Sequence, residues 1–111
     1  MLKMLTERYI AAFCQKDIKS ISALLDEKFV LEDPVVKRIE GRSAALEAIS
    51  IIFKSCEKLN FRAKKIYYDK DSTIIEFVLE IDGVSLEGVD IIDWKDGLMI
   101  ELRAYLDIPK A

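Results

Sequence analysis

A chain of 111 residues with 51% hydrophobic and 33% charged side chains carries enough apolar surface to bury one core. That excludes a disordered chain and makes a single domain over residues 1–111 the expectation. Its 17 basic and 20 acidic residues leave a net charge of −3, so no broad positive field exists to recruit nucleic acid or an anionic membrane.

The opening Met1-Leu2-Lys3-Met4-Leu5 is too short, and too soon interrupted by Glu7 and Arg8, to act as a signal-peptide apolar region. Cytoplasmic residence is therefore the expectation. Leu2, Leu5, Tyr9, Ala12 and Phe13 recur at helical spacing and predict an amphipathic helix over 2–16, with Tyr9 in its apolar stripe. Asp17 reads as the N-cap of a second, short helix that buries Ile18, Ile21, Leu24 and Leu25 before an exit at Asp26-Glu27-Lys28. A short strand then ends at Asp33. Pro34 has no N–H to donate, so regular pairing stops there, and a connecting loop is expected to Gly41. Ser43 resembles an N-cap for a third helix that carries Leu46, Ile49, Ile52, Phe53 and Cys56 inward and ends near Lys58.

From there the pattern alternates with period two over 60–69, 73–82, 84–95 and 98–107. Asp69-Lys70-Asp71, Asp82-Gly83 and Lys95-Asp96-Gly97 supply the turns. Three helices followed by an antiparallel meander give an α+β architecture, with the helices covering one face of a curved sheet. On the last strand Ile100, Leu102, Ala104 and Leu106 share the inward side, and Glu101, Arg103, Tyr105 and Asp107 the outward one. On the strand before it, Leu86, Gly88, Asp90, Ile92 and Trp94 form the bulkier, less charged face and are oriented inward, with Gly88 leaving room for a ligand or another side chain.

Histidine is absent, which removes Ser-His and Cys-His nucleophiles, imidazole general bases and His-ligated zinc. Acid–base chemistry falls to carboxylates, tyrosines or lysines. Cys14 and Cys56 lie in helical patterns without metal-ligand spacing and read as buried thiols, so no metal is expected. Strand alternation puts Asp33 on the same face as Phe29 and Leu31, where poor solvation would raise its proton affinity toward a value useful for proton transfer. The other reading of Asp33 is a turn opener before proline, its side chain accepting a local backbone N–H. Asp90 is a second carboxyl on an otherwise apolar face.

The order helix, helix, strand, helix and then a four-stranded meander, with Leu-Glu-Asp-Pro-Val at 31–35 and Val-Asp-Ile-Ile-Asp-Trp-Lys-Asp-Gly at 89–97, resembles the nuclear transport factor 2-like superfamily over essentially the whole chain. Its branches include SnoaL-like polyketide cyclases, scytalone dehydratase, limonene epoxide hydrolase and ketosteroid isomerase. The resemblance implies a cone-shaped fold with a deep apolar pocket. Within that set the chain looks most like ketosteroid isomerase. Arg8-Tyr9-Ile10-Ala11-Ala12-Phe13 is similar to the helix around that family's catalytic tyrosine, and 31–35 to the segment around its base. Asp90, four residues before Trp94, falls where the family keeps a second oxyanion-hole acid.

The resemblance thus implies Asp33 as proton shuttle and Tyr9 with Asp90 as donors to a developing oxyanion. The apolar pocket would be formed by Phe13, Phe29, Leu31, Phe53, Gly88, Ile92, Trp94, Leu102 and Leu106. Its ligand would be a small apolar carbonyl compound, acted on without a cofactor. The alternatives are a non-catalytic binding module for an apolar ligand and a dimeric interaction domain. The family also implies a homodimer through the outer sheet face, where Arg62, Lys64, Tyr68, Glu101, Arg103 and Tyr105 are expected. Some residues depart from family patterns. Leu106 stands where the isomerases tend to offer an aromatic ring, which disfavours a flat polycyclic substrate. The lack of histidine disfavours dehydratase and cyclase chemistry, and an outward Arg103 disfavours an Asp-Arg-Asp epoxide relay.

Overall fold

Helix α1 (Leu2–Cys14) forms because Leu5, Tyr9, Ala12 and Phe13 share one face and bury it. The computed structural model describes residues 1–107, and 108–111 lie outside the description. Lys16 turns the chain through the left-handed region (φ 56°). Asp17 then caps helix α2 (Ile18–Leu24) by accepting a hydrogen bond from the Ser20 backbone N–H at 3.1 Å.

Strand β1 (Leu25–Asp33) follows without a polar exit loop. Leu25 already pairs with Met99, and the register shift between Leu25 and Val30 absorbs the polar Asp26-Glu27-Lys28 inside the strand. The loop expected up to Gly41 instead contains strand β2 (Lys37–Glu40), which returns antiparallel along β1 with Ile39 opposite Leu31. Helix α3 (Arg42–Lys54) starts from Gly41, not from a Ser43 cap. Gly41 sits at φ 101° while its N–H donates to the Phe29 carbonyl at 2.7 Å, a backbone that side-chain-bearing residues rarely adopt. The helix stops short of Lys58 because the Glu57 and Lys58 N–H groups are drawn out of it to the Asp82 carboxylate, at 3.0 and 2.8 Å.

Strands β3 (Leu59–Asp69), β4 (Ser72–Ile81), β5 (Val84–Lys95) and β6 (Leu98–Leu106) form the meander. Asp82-Gly83, both at positive φ, makes the two-residue turn between β4 and β5. The sheet runs β2-β1-β6-β5-β4-β3 and is antiparallel except where β1 lies parallel to β6. The three helices pack on one face of this curved, mainly antiparallel sheet, giving the α+β architecture.

Two bulges reset the faces. One between Ala63 and Lys65 on β3 puts Tyr67, paired with Ile74, on the outer face. Tyr68, expected there, pairs with buried Thr73 on the helix side. The other leaves Ile100 as the extra residue between the Asp93–Glu101 and Trp94–Met99 pairs. Met99 takes the fully buried place expected for Ile100. Leu102, Ala104 and Leu106 keep their inward positions. Within the core, Tyr9, Phe13, Phe53, Phe61 and Phe77 interlock with ring centroids 5.0 to 6.2 Å apart. Among the described residues no helix is long and apolar enough to cross a membrane.

Candidate functional site

Between the helices and the sheet lies a cavity of about 100 Å³. Among the described residues its wall is apolar except for three side chains, Tyr9, Asp33 and Asp90. Each comes from a different element. Tyr9 descends from α1 beside Phe13 and Phe61, and Asp33 ends β1. Asp90 lies mid-β5, with Ile75 and Ala104 as its cross-strand neighbours. Because Glu32 pairs with Arg103, Asp33 follows in register beside Ala104. The two aspartates therefore flank Ala104 from either side, two strand spacings or about 10 Å apart at their Cα atoms. The small Ala104 side chain leaves the space between the carboxyl groups open.

Burial dominates the electrostatics. Asp90 is 4% exposed, and burial together with the negative charge of Asp33 pushes its carboxyl up to about 8. At neutral pH it is a protonated acid with an O–H to donate. Tyr9 is equally buried. Burial first, and the Asp90 charge second, hold its phenol well above the ordinary tyrosine value, so it too keeps its proton. Asp33 is half-buried. Its Oδ1 accepts the backbone N–H groups of Val35 (2.8 Å) and Val36 (2.7 Å), which is the turn-opener role. Both bonds fall on one oxygen, leaving Oδ2 outside the turn. Among the described residues no Lys or Arg lines the cavity.

Of the apolar residues expected here, Phe13, Phe29, Leu31, Leu102 and Leu106 line the cavity, whereas Phe53, Gly88, Ile92 and Trp94 do not. Phe53 sits behind Phe13, at 5.0 Å between ring centroids. Ile92 is fully buried between Thr73 and Leu102. The Trp94 indole N–H donates to Thr73 Oγ1 at 2.9 Å, an oxygen that also receives the Thr6 hydroxyl at 3.0 Å, so Trp94 pins α1 to the sheet away from the cavity. The room at Gly88 is taken by β6. A Cβ there would lie 2.7 Å from Leu106 Cβ and collide with the Tyr105 carbonyl oxygen.

Sequence reasoning missed Leu25, Ile49, Ile52, Phe61, Phe77, Leu79 and Ala104 in the wall. Phe77, Leu79 and Phe61 were findable, since strand alternation aligns them with Ile75 on one face. Cys56 is buried, but Cys14 is only partly so. Among the described residues no three His, Cys, Asp or Glu side chains gather to hold a metal ion. Arg103 lies on the outer face, bonded to Asp93 at 2.9 Å and Glu101 at 2.6 Å.

Residues 6–102 match the family model described as a SnoaL-like domain. The uncharacterized protein YesE of Bacillus subtilis (strain 168) is 29% identical over 111 residues, covering 88% of this chain and 76% of that protein. A Bacillus subtilis structure provisionally named an isomerase superposes with a TM-score of 0.79 at 27% identity, covering 94% and 84% of the two chains. A Kribbella flavida DSM 17836 structure provisionally named a ketosteroid isomerase gives 0.83 at 20% identity, covering 97% and 78%. Because the family match runs from the first helix into the last strand, the chain belongs to the SnoaL-like domain family, and its fold is that of nuclear transport factor 2-like proteins.

Proposed function

We propose that the protein is a cofactor-independent isomerase of the ketosteroid isomerase type, moving a double bond or forming an enol on a small, neutral, apolar carbonyl compound. One observation carries this reading: among the described residues the polar groups in an apolar cavity wall are one half-buried carboxylate and two buried groups that keep their protons. Asp33 Oδ2 takes a proton from the carbon next to the carbonyl. The electron pair left behind moves onto the carbonyl oxygen, which becomes enolate-like and accepts hydrogen bonds from the Tyr9 phenol and the Asp90 acid. Asp33 then returns the proton to the far carbon of the conjugated system, and the carbonyl re-forms. Such donors stabilise developing charge more in a dry cavity than they would in water. With two carboxyls and, among the described residues, no cation in the wall, an anionic substrate is disfavoured.

Turnover of a β,γ-unsaturated ketone to its conjugated isomer, followed by ultraviolet absorbance, is the test. Asp33→Asn should lower the rate by about 10²–10⁴ and Tyr9→Phe by about 10²–10³. Equal inactivity of wild type and Asp33→Asn across several such ketones would end the proposal. A second reading, a binding module for an apolar ligand, draws support from the two turn hydrogen bonds on Asp33, which give that carboxylate a structural task. Recovery of an unchanged ligand from native protein, with Asp33→Asn altering affinity alone, would favour it. Under either reading the assembly is a cytoplasmic homodimer through the outer sheet face.

A further inference from the structure

A wider groove of about 590 Å³ adjoins the cavity. The two share a wall made of Asp33, Ile52, Leu79 and Leu106. Beyond that wall the groove runs between α3 and the β1–β2 turn, past Val35 and Ile51, and along Ile81 and Leu86 at the far ends of β4 and β5. Val35 is 70% exposed and Ile51 64%, so two branched aliphatic side chains stand in water on either side of an already apolar trough.

Size separates the two spaces. A ligand pocket typically holds about 300–1,000 Å³, and the inner cavity falls below that range while the groove falls within it. A molecule whose carbonyl reaches Tyr9 and Asp90 therefore fits only its reactive end inside. The remainder must leave past Asp33, where the groove offers aliphatic wall with, among the described residues, Glu47 and Ser55 as further polar members. Lateral aliphatic contact along a trough suits a flexible chain.

Resting on the isomerase reading, we infer that the groove binds an acyclic alkyl tail of the substrate, which makes the substrate class a chain-bearing ketone or enone with its carbonyl in the cavity. Saturated methyl ketones from butanone to undecanone test this by calorimetry, because they fill the site without a double bond to move. Affinity should rise about three- to fourfold with each added methylene until the groove is filled. Ile51→Glu and Val35→Glu, on separate elements and at exposed positions, should each flatten that dependence while leaving butanone affinity unchanged. Affinity independent of chain length in the wild type, or an undiminished dependence in both variants, would overturn the inference. Loss of a dimer in Ile51→Glu, with ketone affinity intact, would overturn it too and assign the strip to a second copy of the chain. A normal chain-length dependence without turnover of any unsaturated ketone would retain the tail site and reject the isomerase chemistry.

Discussion

Asp90 ties the protein's stability to pH. Burial and the neighbouring Asp33 charge lift its carboxyl from the ordinary 3.8 to about 8 in the folded state. Between those values the folded chain holds a proton that the unfolded chain has released. Stability is therefore fully present below about pH 4, falls as pH rises, and has lost this contribution above about pH 8. The slope reaches about 1.4 kcal/mol per pH unit within the window. Urea unfolding at a series of pH values should reveal it, and Asp90→Asn, which is neutral in both states, should remove that part of the slope. An unchanged slope in the variant would show that Asp90 is ionised in the folded protein and unfit to donate to an oxyanion. Tyr9 has the complementary signature: its phenol should show no ionisation in ultraviolet titration until the pH passes well beyond the ordinary tyrosine value.

Pairing between β5 and β6 sets the shape of the cavity wall. Gly88 faces Leu106, and the missing side chain lets the two strands carry both Asp90 and Leu106 toward the same space. Gly88→Ala should cost about 1–3 kcal/mol in chemical denaturation, since the obstruction is β6 backbone as well as Leu106. No measurable loss would mean that β6 shifts freely. The same pairing explains what could be read from sequence. All four meander strands were legible to within about a residue, because alternation and turn chemistry at Asp82-Gly83 and Asp96-Gly97 agree. Strand β2 was not, since its four residues Lys-Arg-Ile-Glu bury only Ile39 even partly and leave no periodic trace. The α3 start was missed because Gly41 caps through its backbone and not through a side chain. The three polar cavity residues were legible as members of apolar faces. Phe61, Phe77 and Leu79 share the inward face that alternation marks through Ile75, but which part of that face borders the cavity is set by sheet curvature, which no local pattern encodes.

Across the whole molecule, the helices cover only the concave side of the sheet, and the convex side is the face proposed for the homodimer. Register aligns Tyr67, Ile74, Ile91 and Arg103 in one row on that side, with Lys65, Glu76, Val89 and Tyr105 in the next. Around them, Arg62–Glu80, Lys64–Glu87 and Arg103 with Asp93 and Glu101 form ion pairs within the chain. Aromatic and aliphatic side chains set among charges, many of them already paired within the chain, suit a wet protein–protein interface, because the paired charges ask little of a partner while the apolar groups gain from being covered. A two-fold partner would bring the same surface, so each tyrosine would meet apolar surface of the other copy. Tyr67 and Tyr105 are 42% and 54% exposed in the single chain, and their replacement by glutamate leaves the core untouched. Light scattering should therefore give twice the 12.7 kDa chain mass for the wild type and a monomer for Tyr67→Glu with Tyr105→Glu. A wild-type monomer at high concentration would end the proposed homodimer, and a doubly substituted protein that stays dimeric would move the interface to another face.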